Sequence, residues 1–306
     1  MNTRVIIREV LKTIVKSENV KIDEPLSKYT FTKTGGKADF LVFPETSKQV
    51  QDVYQYAMKQ QIPVTIMGFG SNLIIRDGGI RGIVMSLKKL NRIQIKGFKL
   101  IAQSGVAISD VSKFALSQSQ TGLEFACGIP GSVGGAVHMN AGAYGGEIKV
   151  VLMECIVMTK NGKLMTLNKG QMGLSYRKSR VAEQGHIILE ATFELKPGNY
   201  EEIRARMDGF TLQRQEKQPL EFPSCGSVFK RPLGYFAGKL IQDSGLQGNQ
   251  IGGAQVSTKH AGFIVNIDKA TATDYIKLIQ HIQNTVKSKF GVELETEVKV
   301  IGEDLE

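Results

Sequence analysis

The chain has 306 residues, 42% of them hydrophobic and 22% charged, with 33 glycines and no tryptophan. That balance excludes a disordered or collagen-like chain, and at roughly 100–200 residues per domain it allows two or three domains. The formal net charge of +10 suits nucleic acid, an acidic membrane surface or anionic small molecules. The charge is uneven: residues 1–200 hold 26 basic and 15 acidic side chains, residues 201–306 hold 13 and 14. The densest basic stretch, Arg81 to Lys99, reads as a solvated face. Cys127, Cys155 and Cys225 are far apart and form no CxxC pair, so no zinc motif is visible and a reducing compartment is implied.

In chain order, Val5, Ile6, Val10, Leu11, Ile14 and Val15 recur at helical spacing, which makes the N-terminus an amphipathic helix rather than a signal peptide. Residues 38–43 read as a strand ended by Pro44, and Ser47 as the cap of a helix reaching Gln60. Two short apolar runs, 63–68 and 72–76, flank a glycine turn. Residues 82–87 and 99–105 are further strands, and Ser109 or Asp110 opens a helix toward Gln118. The uncharged stretch 125–146 holds seven glycines, Pro130, His138 and Asn140. That is loop composition, not a membrane helix. Asn161-Gly162 is a hairpin signal between strands at 152–159 and 163–167, and 186–195 is another strand.

A polar helix from about Tyr200 to Lys217 follows. Composition and charge change there, which places a domain boundary near residue 200. Beyond it come a helix over 234–244, strands at 251–256 and 261–267, a helix capped by Thr271 and running to Phe290, and a final strand at 294–301. The layout is α+β without an internal repeat.

Five stretches carry chemistry. In GFGSN (Gly68–Asn72) the glycines let backbone amides approach a phosphate, and serine and asparagine add hydrogen bonds. Alone, it reads more readily as a plain hairpin turn. The stretch from Thr121 to Glu147 mixes eight glycines with Ile129, Pro130, Val133, Val137, Met139 and Tyr144. That mixture points to an ordered wrap rather than a flexible linker. LSYRKSR (Leu174–Arg180), QRQEKQPLEFPSCGSVFKRP (Gln213–Pro232) and LETEVKVIGE (Leu294–Glu303) each have a bland reading: a surface arginine, a turn serine and a glutamate on the polar face of a strand.

Together, and in this order, GFGSN, EFACGIPGSVGGAVHMNAGAYGGE, YRKS, CGSVFKRP, AGKLIQDSGLQG and ETEVKVIGE resemble the UDP-N-acetylenolpyruvoylglucosamine reductase (UDP-N-acetylmuramate dehydrogenase) family over roughly residues 25 to 303. The short C-terminal region is similar to the family's type II form. The resemblance implies an α+β chain with an FAD-binding region of two α/β subdomains, of the vanillyl-alcohol oxidase (PCMH) type, over 1–200 (about 1–85 and 86–200). A C-terminal α+β domain for the UDP-sugar would span 201–306. It implies non-covalent FAD held by Gly68, Phe69, Gly70, Ser71 and Asn72, and by Gly128, Pro130, Gly131, Ser132, Gly135, Asn140, Gly142 and Ala143.

The implied reaction is NADPH-dependent reduction of the enolpyruvyl ether of UDP-N-acetylglucosamine-enolpyruvate, an oxidoreductase step of peptidoglycan synthesis. Hydride passes from flavin N5 to C3 and a proton to C2. Arg177 would bind the substrate carboxylate, Ser227 would donate the proton, and Glu297 would be the catalytic glutamate, with Glu295 as its near alternative. Arg214, Lys217, Lys230, Lys239 and His260 are candidates for holding the UDP-sugar, Lys217 first among them. Cys225 is expected to be non-catalytic and His138 to be a packing or cofactor-edge residue rather than a flavin anchor. No metal, nucleic acid or membrane partner is implied, and the expected location is the cytoplasm. The alternatives are a different flavin oxidase or dehydrogenase on the same cofactor fold, which would lack the Arg177, Ser227 and Glu297 set, and a colourless, non-enzymatic nucleotide or nucleic-acid binder.

Overall fold

Hydrophobic periodicity shapes the first elements. In the computed structural model, which describes residues 3–305, Thr3–Val15 is a helix that buries Leu11 and Val15. Ser47–Lys59 is a second helix, burying Val50, Val53 and Ala57. Its cap is Thr46 rather than Ser47: the Thr46 hydroxyl accepts from Gln49 N at 3.1 Å, which satisfies one of the helix's unpaired N–H groups. The helix Ile108–Ser117 likewise starts before the expected Ser109 or Asp110. Ala107 occupies its cap position and makes no side-chain bond.

The chain divides into two compact units. The first comprises residues up to Ile22, Phe40–Phe69 and Gly82–Arg214; the second comprises Asp23–Asp39, Gly70–Arg81 and the residues from Gln215 onward. The division falls inside the helix Tyr200–Lys217, whose Ile203 and Met207 are buried.

The first unit has two cores. One lies on a five-stranded antiparallel sheet, in the order Leu164–Asn168, Leu152–Met158, Ile187–Glu194, Lys99–Gln103, Ile93–Lys96. Leu100, Ala102, Val157, Ala191 and Phe193 of this sheet pack with Val111 and Val137. The Asn161-Gly162 hairpin is present as expected, with Met158 opposite Leu164. Strand Ile93–Lys96 was not anticipated. The other core gathers Leu11, Val15, Val50 and Val53 with Phe40, Ile83 and Met85. The last three come from the strands Lys37–Val42 and Ile80–Ser86.

The second unit is built on the antiparallel order Ser224–Ser227, Phe263–Asn266, Ala254–Val256, Gln250–Ile251. Helices Ala237–Asp243 and Ala272–Phe290 cover it. Thr271 and Asp274 close a reciprocal capping box on the long helix, as the sequence predicts. Asp77 adds bonds to Ala272 N and Thr273 N, each at 2.9 Å. Tyr275, Leu278, Ile282 and Val286 form the core with Ile74 and Ile264. The last strand is shorter than expected, Lys299–Ile301, and pairs in parallel with Leu73–Ile75. No helix among the described residues is long and apolar enough to cross a membrane.

Candidate active site

In the first unit, Val64–Met67 runs parallel to Ile80–Ser86, with Met67 opposite Ser86, and the chain leaves this pair at Gly68-Phe69. The strands flanking GFGSN therefore do not form a hairpin: Leu73–Ile75 pairs with Lys299–Ile301 instead. The carboxyl end of a parallel pair is where α/β sheets hold phosphorylated ligands. The N–H groups of Gly68 and Phe69 donate to no acceptor among the described residues.

Opposite them stands Ser132, buried, whose hydroxyl accepts from Gly135 N at 3.3 Å and caps the helix Val133–His138. A side chain at Gly68 would place its Cβ 2.5 Å from that hydroxyl. The loop is fixed from behind by Ile108 N to Gly131 O (3.0 Å), Val133 N to Val106 O (2.8 Å) and Gly134 N to Ser104 O (2.9 Å). The glycine-rich stretch is thus ordered, and it ends in a hairpin pairing Ala143 with Gly146 and Gly142 with Glu147. A close glycine approach, unused amides and a serine cap fit a diphosphate such as that of FAD. Gly68→Ala is expected to cost about 1–3 kcal/mol by forcing this contact apart, and, where that cost falls on the FAD-bound form, to lower FAD retention about five- to 150-fold. Flavin absorbance per protein after gel filtration measures it, and wild-type flavin content would refute the cradle.

Asn140 was expected to touch the cofactor, but its side chain is committed to the protein. Its Nδ2 donates to Glu147 Oε2 (2.8 Å) and to Ser175 O (3.1 Å), and its Oδ1 accepts from Lys149 N (2.9 Å). The second of these bonds reaches the loop that carries Arg177. Ser175 and Lys178 exchange two main-chain bonds of 3.1 Å, leaving Tyr176 and Arg177 at the tip of a tight turn. Arg177 has φ +54°, a left-handed conformation that costs about 1–3 kcal/mol in a residue other than glycine. Its guanidinium lies 5.1 Å from the centre of the Tyr176 ring.

Also in this unit, Arg214 packs over Gly128. No hydrogen bond or ion pair satisfies its guanidinium among the described residues. Burial lowers its pKa from the usual value, opposed by the nearby Tyr144 and Cys127. Tyr144 stacks on Phe210, ring centres 4.5 Å apart.

In the second unit, Ser227 ends the strand Ser224–Ser227, after an irregularity at Gly226 (φ +78°), and is exposed. One residue on, Val228 O accepts from Glu297 N at 2.7 Å, and Phe229 bridges Thr296. The structure thus brings the segments of Ser227 and Glu297 side by side. Asn72, another expected cofactor contact, donates from Nδ2 to Glu297 O at 3.1 Å, and its carbonyl accepts from Lys299 N at 3.2 Å. Glu295 is exposed and ion-paired to Lys230. Burial, reinforced by the charge of Glu297, pushes the Cys225 thiol up to about 12. Cys225 therefore stays a neutral thiol.

Gly70 accepts from Phe31 N at 3.2 Å, and a Cβ there would lie 2.3 Å from Tyr29 O. A cavity of about 430 Å³, lined by Lys230, Arg231, Tyr235 and Glu295 among others, opens beside the Ser227 segment. Arg231 and Tyr235 were not singled out from the sequence. Of the other expected contacts, Lys217 is exposed at the end of its helix. Lys239 is paired with Asp243 at 2.7 Å. His260 accepts from Gly262 N through Nδ1 (3.1 Å), and burial lowers its pKa. The Lys239 and His260 side chains thus already have partners in the protein.

Residues 38–168 match the FAD binding domain, and residues 218–301 match the C-terminal domain of UDP-N-acetylenolpyruvoylglucosamine reductase. The chain is 60% identical to the UDP-N-acetylenolpyruvoylglucosamine reductase of Oceanobacillus iheyensis, over 96% of each sequence. It is 56% identical to that of Staphylococcus aureus, over 97% of each. The crystal structure of UDP-N-acetylenolpyruvylglucosamine reductase from Thermus caldophilus aligns with a TM-score of 0.80 at 31% identity, covering 92% of this chain and 99% of that one. A glucose dehydrogenase, Phl p 4.0202, aligns at 0.50 with 12% identity, over 64% of this chain and 44% of its own. That likeness is one of fold alone. The FAD-binding region has the expected vanillyl-alcohol oxidase architecture. With relatives of this identity along nearly its whole length, the chain belongs to the UDP-N-acetylenolpyruvoylglucosamine reductase family of FAD-containing oxidoreductases.

Proposed function

We propose that this protein reduces the enolpyruvyl ether of UDP-N-acetylglucosamine-enolpyruvate to UDP-N-acetylmuramate, with NADPH as reductant, in the cytoplasmic part of peptidoglycan synthesis. The observation that supports this most directly is the pairing of the Ser227 and Glu297 segments through Val228 O, within a chain whose relatives bear the reductase name. Residues 1–200 are assigned to FAD and residues 201–306 to the UDP-sugar, in the family's type II arrangement. The family matches at 38–168 and 218–301 support this division.

Bound FAD supplies the hydride, taken from NADPH, that adds to C3 of the enolpyruvyl group. The protein's own residues do the rest. The planar fork of Arg177 binds the substrate carboxylate and offsets the negative charge that spreads into it as C3 gains hydride. Ser227 donates the proton that completes C2. A serine hydroxyl is a weak acid, so Glu297 serves it, either protonated or as the group that orients the donor. Lys217, exposed at the end of its helix, supplies positive charge for the diphosphate.

The test is anaerobic single turnover. Protein reduced by NADPH and freed of excess reductant is mixed with the UDP-enolpyruvyl sugar. The oxidised flavin band is expected to return, with one UDP-N-acetylmuramate formed per flavin. A flavin that oxygen reoxidises but this substrate does not would overturn the assignment.

A further inference from the structure

The turn that carries Arg177 is not an independent loop. Both of its ends are bonded to the segment that closes the glycine cradle. On one side Asn140 Nδ2 donates to Ser175 O at 3.1 Å. On the other, Ser179 Oγ donates to His138 O at 2.6 Å and accepts from Ala182 N at 3.2 Å. Asn140 and Ser179 are 1% and 0% exposed, while Ser175 is exposed and His138 half-buried; loss of either bond takes a partner from a buried polar side chain. Asn140 is itself held by Glu147 and Lys149 and sits at φ +46°, a region asparagine tolerates better than most residues.

Between Ser132, which faces Gly68, and His138 runs a six-residue helix, about 9 Å long at 1.5 Å per residue. Its first turn belongs to the cradle. Its last carbonyl and the residues just after it hold the Arg177 turn. A strained φ at Arg177 persists only where the surroundings over-determine it, and these two bonds do so.

We propose that Asn140 is a positioning residue, not a cofactor contact: it latches the Arg177 turn to the cofactor loop, so that FAD binding sets the arginine that receives the substrate carboxylate. The arginine's role in this statement rests on the functional reading above. The latch itself does not, and it can be tested without turnover.

Hydrogen exchange of the 174–180 segment is measured in flavin-free and FAD-loaded protein. In the natural chain FAD is expected to slow exchange at Ser175 and Lys178 tenfold or more. Asn140→Asp keeps the shape and the φ preference but turns the donor into an acceptor facing Ser175 O and Glu147. At matched flavin content its FAD-dependent slowing should fall below twofold. Wild-type protection in the variant, or no FAD effect in the natural chain, overturns the proposal. If Asn140→Asp does not fold, Ser179→Ala removes the other bond and is read the same way.

In turnover, Asn140→Asp is expected to raise KM for the UDP-enolpyruvyl sugar about tenfold more than it lowers kcat, and to add nothing in an Arg177→Ala background, because it acts through that residue. Independent, multiplying effects would also overturn it. An Arg177→Ala protein that oxidises normally with substrate would strike at the functional reading alone, while the exchange result still decides the latch.

Discussion

Ser227→Ala is expected to leave NADPH reduction of the flavin within about twofold of wild type and to slow its reoxidation by the UDP-enolpyruvyl sugar by about 10²- to 10⁴-fold, the range for loss of a positioned general acid. The substitution removes one exposed hydroxyl and no main-chain bond. The strand still pairs at Phe263, and Val228 still donates to Gly262 O at 2.9 Å and accepts from Glu297 N. Stopped-flow absorbance separates the two half-reactions. A solvent deuterium isotope effect on reoxidation should change in the variant, because the proton for C2 must then come from water. Equal loss of both half-reactions would count against Ser227 as the proton donor. Glu297→Gln offers a check on the same segment: it keeps the bond from Glu297 N to Val228 O and changes only the carboxylate.

Arg177→Ala should slow the substrate half-reaction by about 10²- to 10³-fold, the usual cost of removing a donor that stabilises developing negative charge, while flavin content stays that of the natural protein. Arg177→Lys should recover only part of the loss, since an ammonium lacks the two-pronged geometry that fits a carboxylate. Backbone strain can be separated from this effect. At φ +54° a glycine is relaxed where alanine is not, so Arg177→Gly should melt no lower than Arg177→Ala yet be equally slow. Loss of flavin from these variants would contradict the assignment, because it would make Arg177 part of the cofactor's support.

Local signals were legible where the chain decides its own conformation within a few residues. Asn161-Gly162 makes the hairpin it announces. Thr271, with Asp274 three residues on, starts a helix that ends at Phe290 before Gly291. The helix Tyr200–Lys217 has the expected limits. Caps were less certain, since Thr46 and Ser47 are adjacent and chemically alike, and only the direction of the chain entering the helix selects Thr46. Taken alone, GFGSN reads as a hairpin turn because two apolar runs flank it. Those runs pair in parallel with strands elsewhere in the chain, Val64–Met67 with Ile80–Ser86 and Leu73–Ile75 with Lys299–Ile301. No local pattern encodes a partner more than two hundred residues away.

The same divide runs through the candidate site. Glycine density, the arginine in YRKS, the serine after Cys225-Gly226 and the glutamate of ETEV are visible as residue types in order, and together they carry the family. Which asparagine faces a ligand and which one holds the scaffold is not visible. Asn140 lies among the glycines of the 122–146 stretch in sequence, yet its amide is consumed by Glu147, Ser175 and Lys149. Asn72 likewise spends its Nδ2 on Glu297 O, and Lys239 and His260 are taken by Asp243 and Gly262. A polar side chain's role depends on which groups reach it first, and those groups come from distant parts of the chain.

By itself, the sequence determined the longer helices, the hairpin, the composition of the glycine-rich stretch and the identity of the residues available for chemistry, because each of these is set by neighbours a few positions apart; the short helix Val133–His138 lies in a stretch that reads as loop. Only the tertiary structure decided that Gly68 must yield to Ser132, that the Ser227 and Glu297 segments meet through Val228, and that the Arg177 turn hangs from Asn140 and His138 of the glycine-rich stretch. Those are contacts between segments that burial brings together, and their hydrogen bonds exist only once the intervening water has been removed.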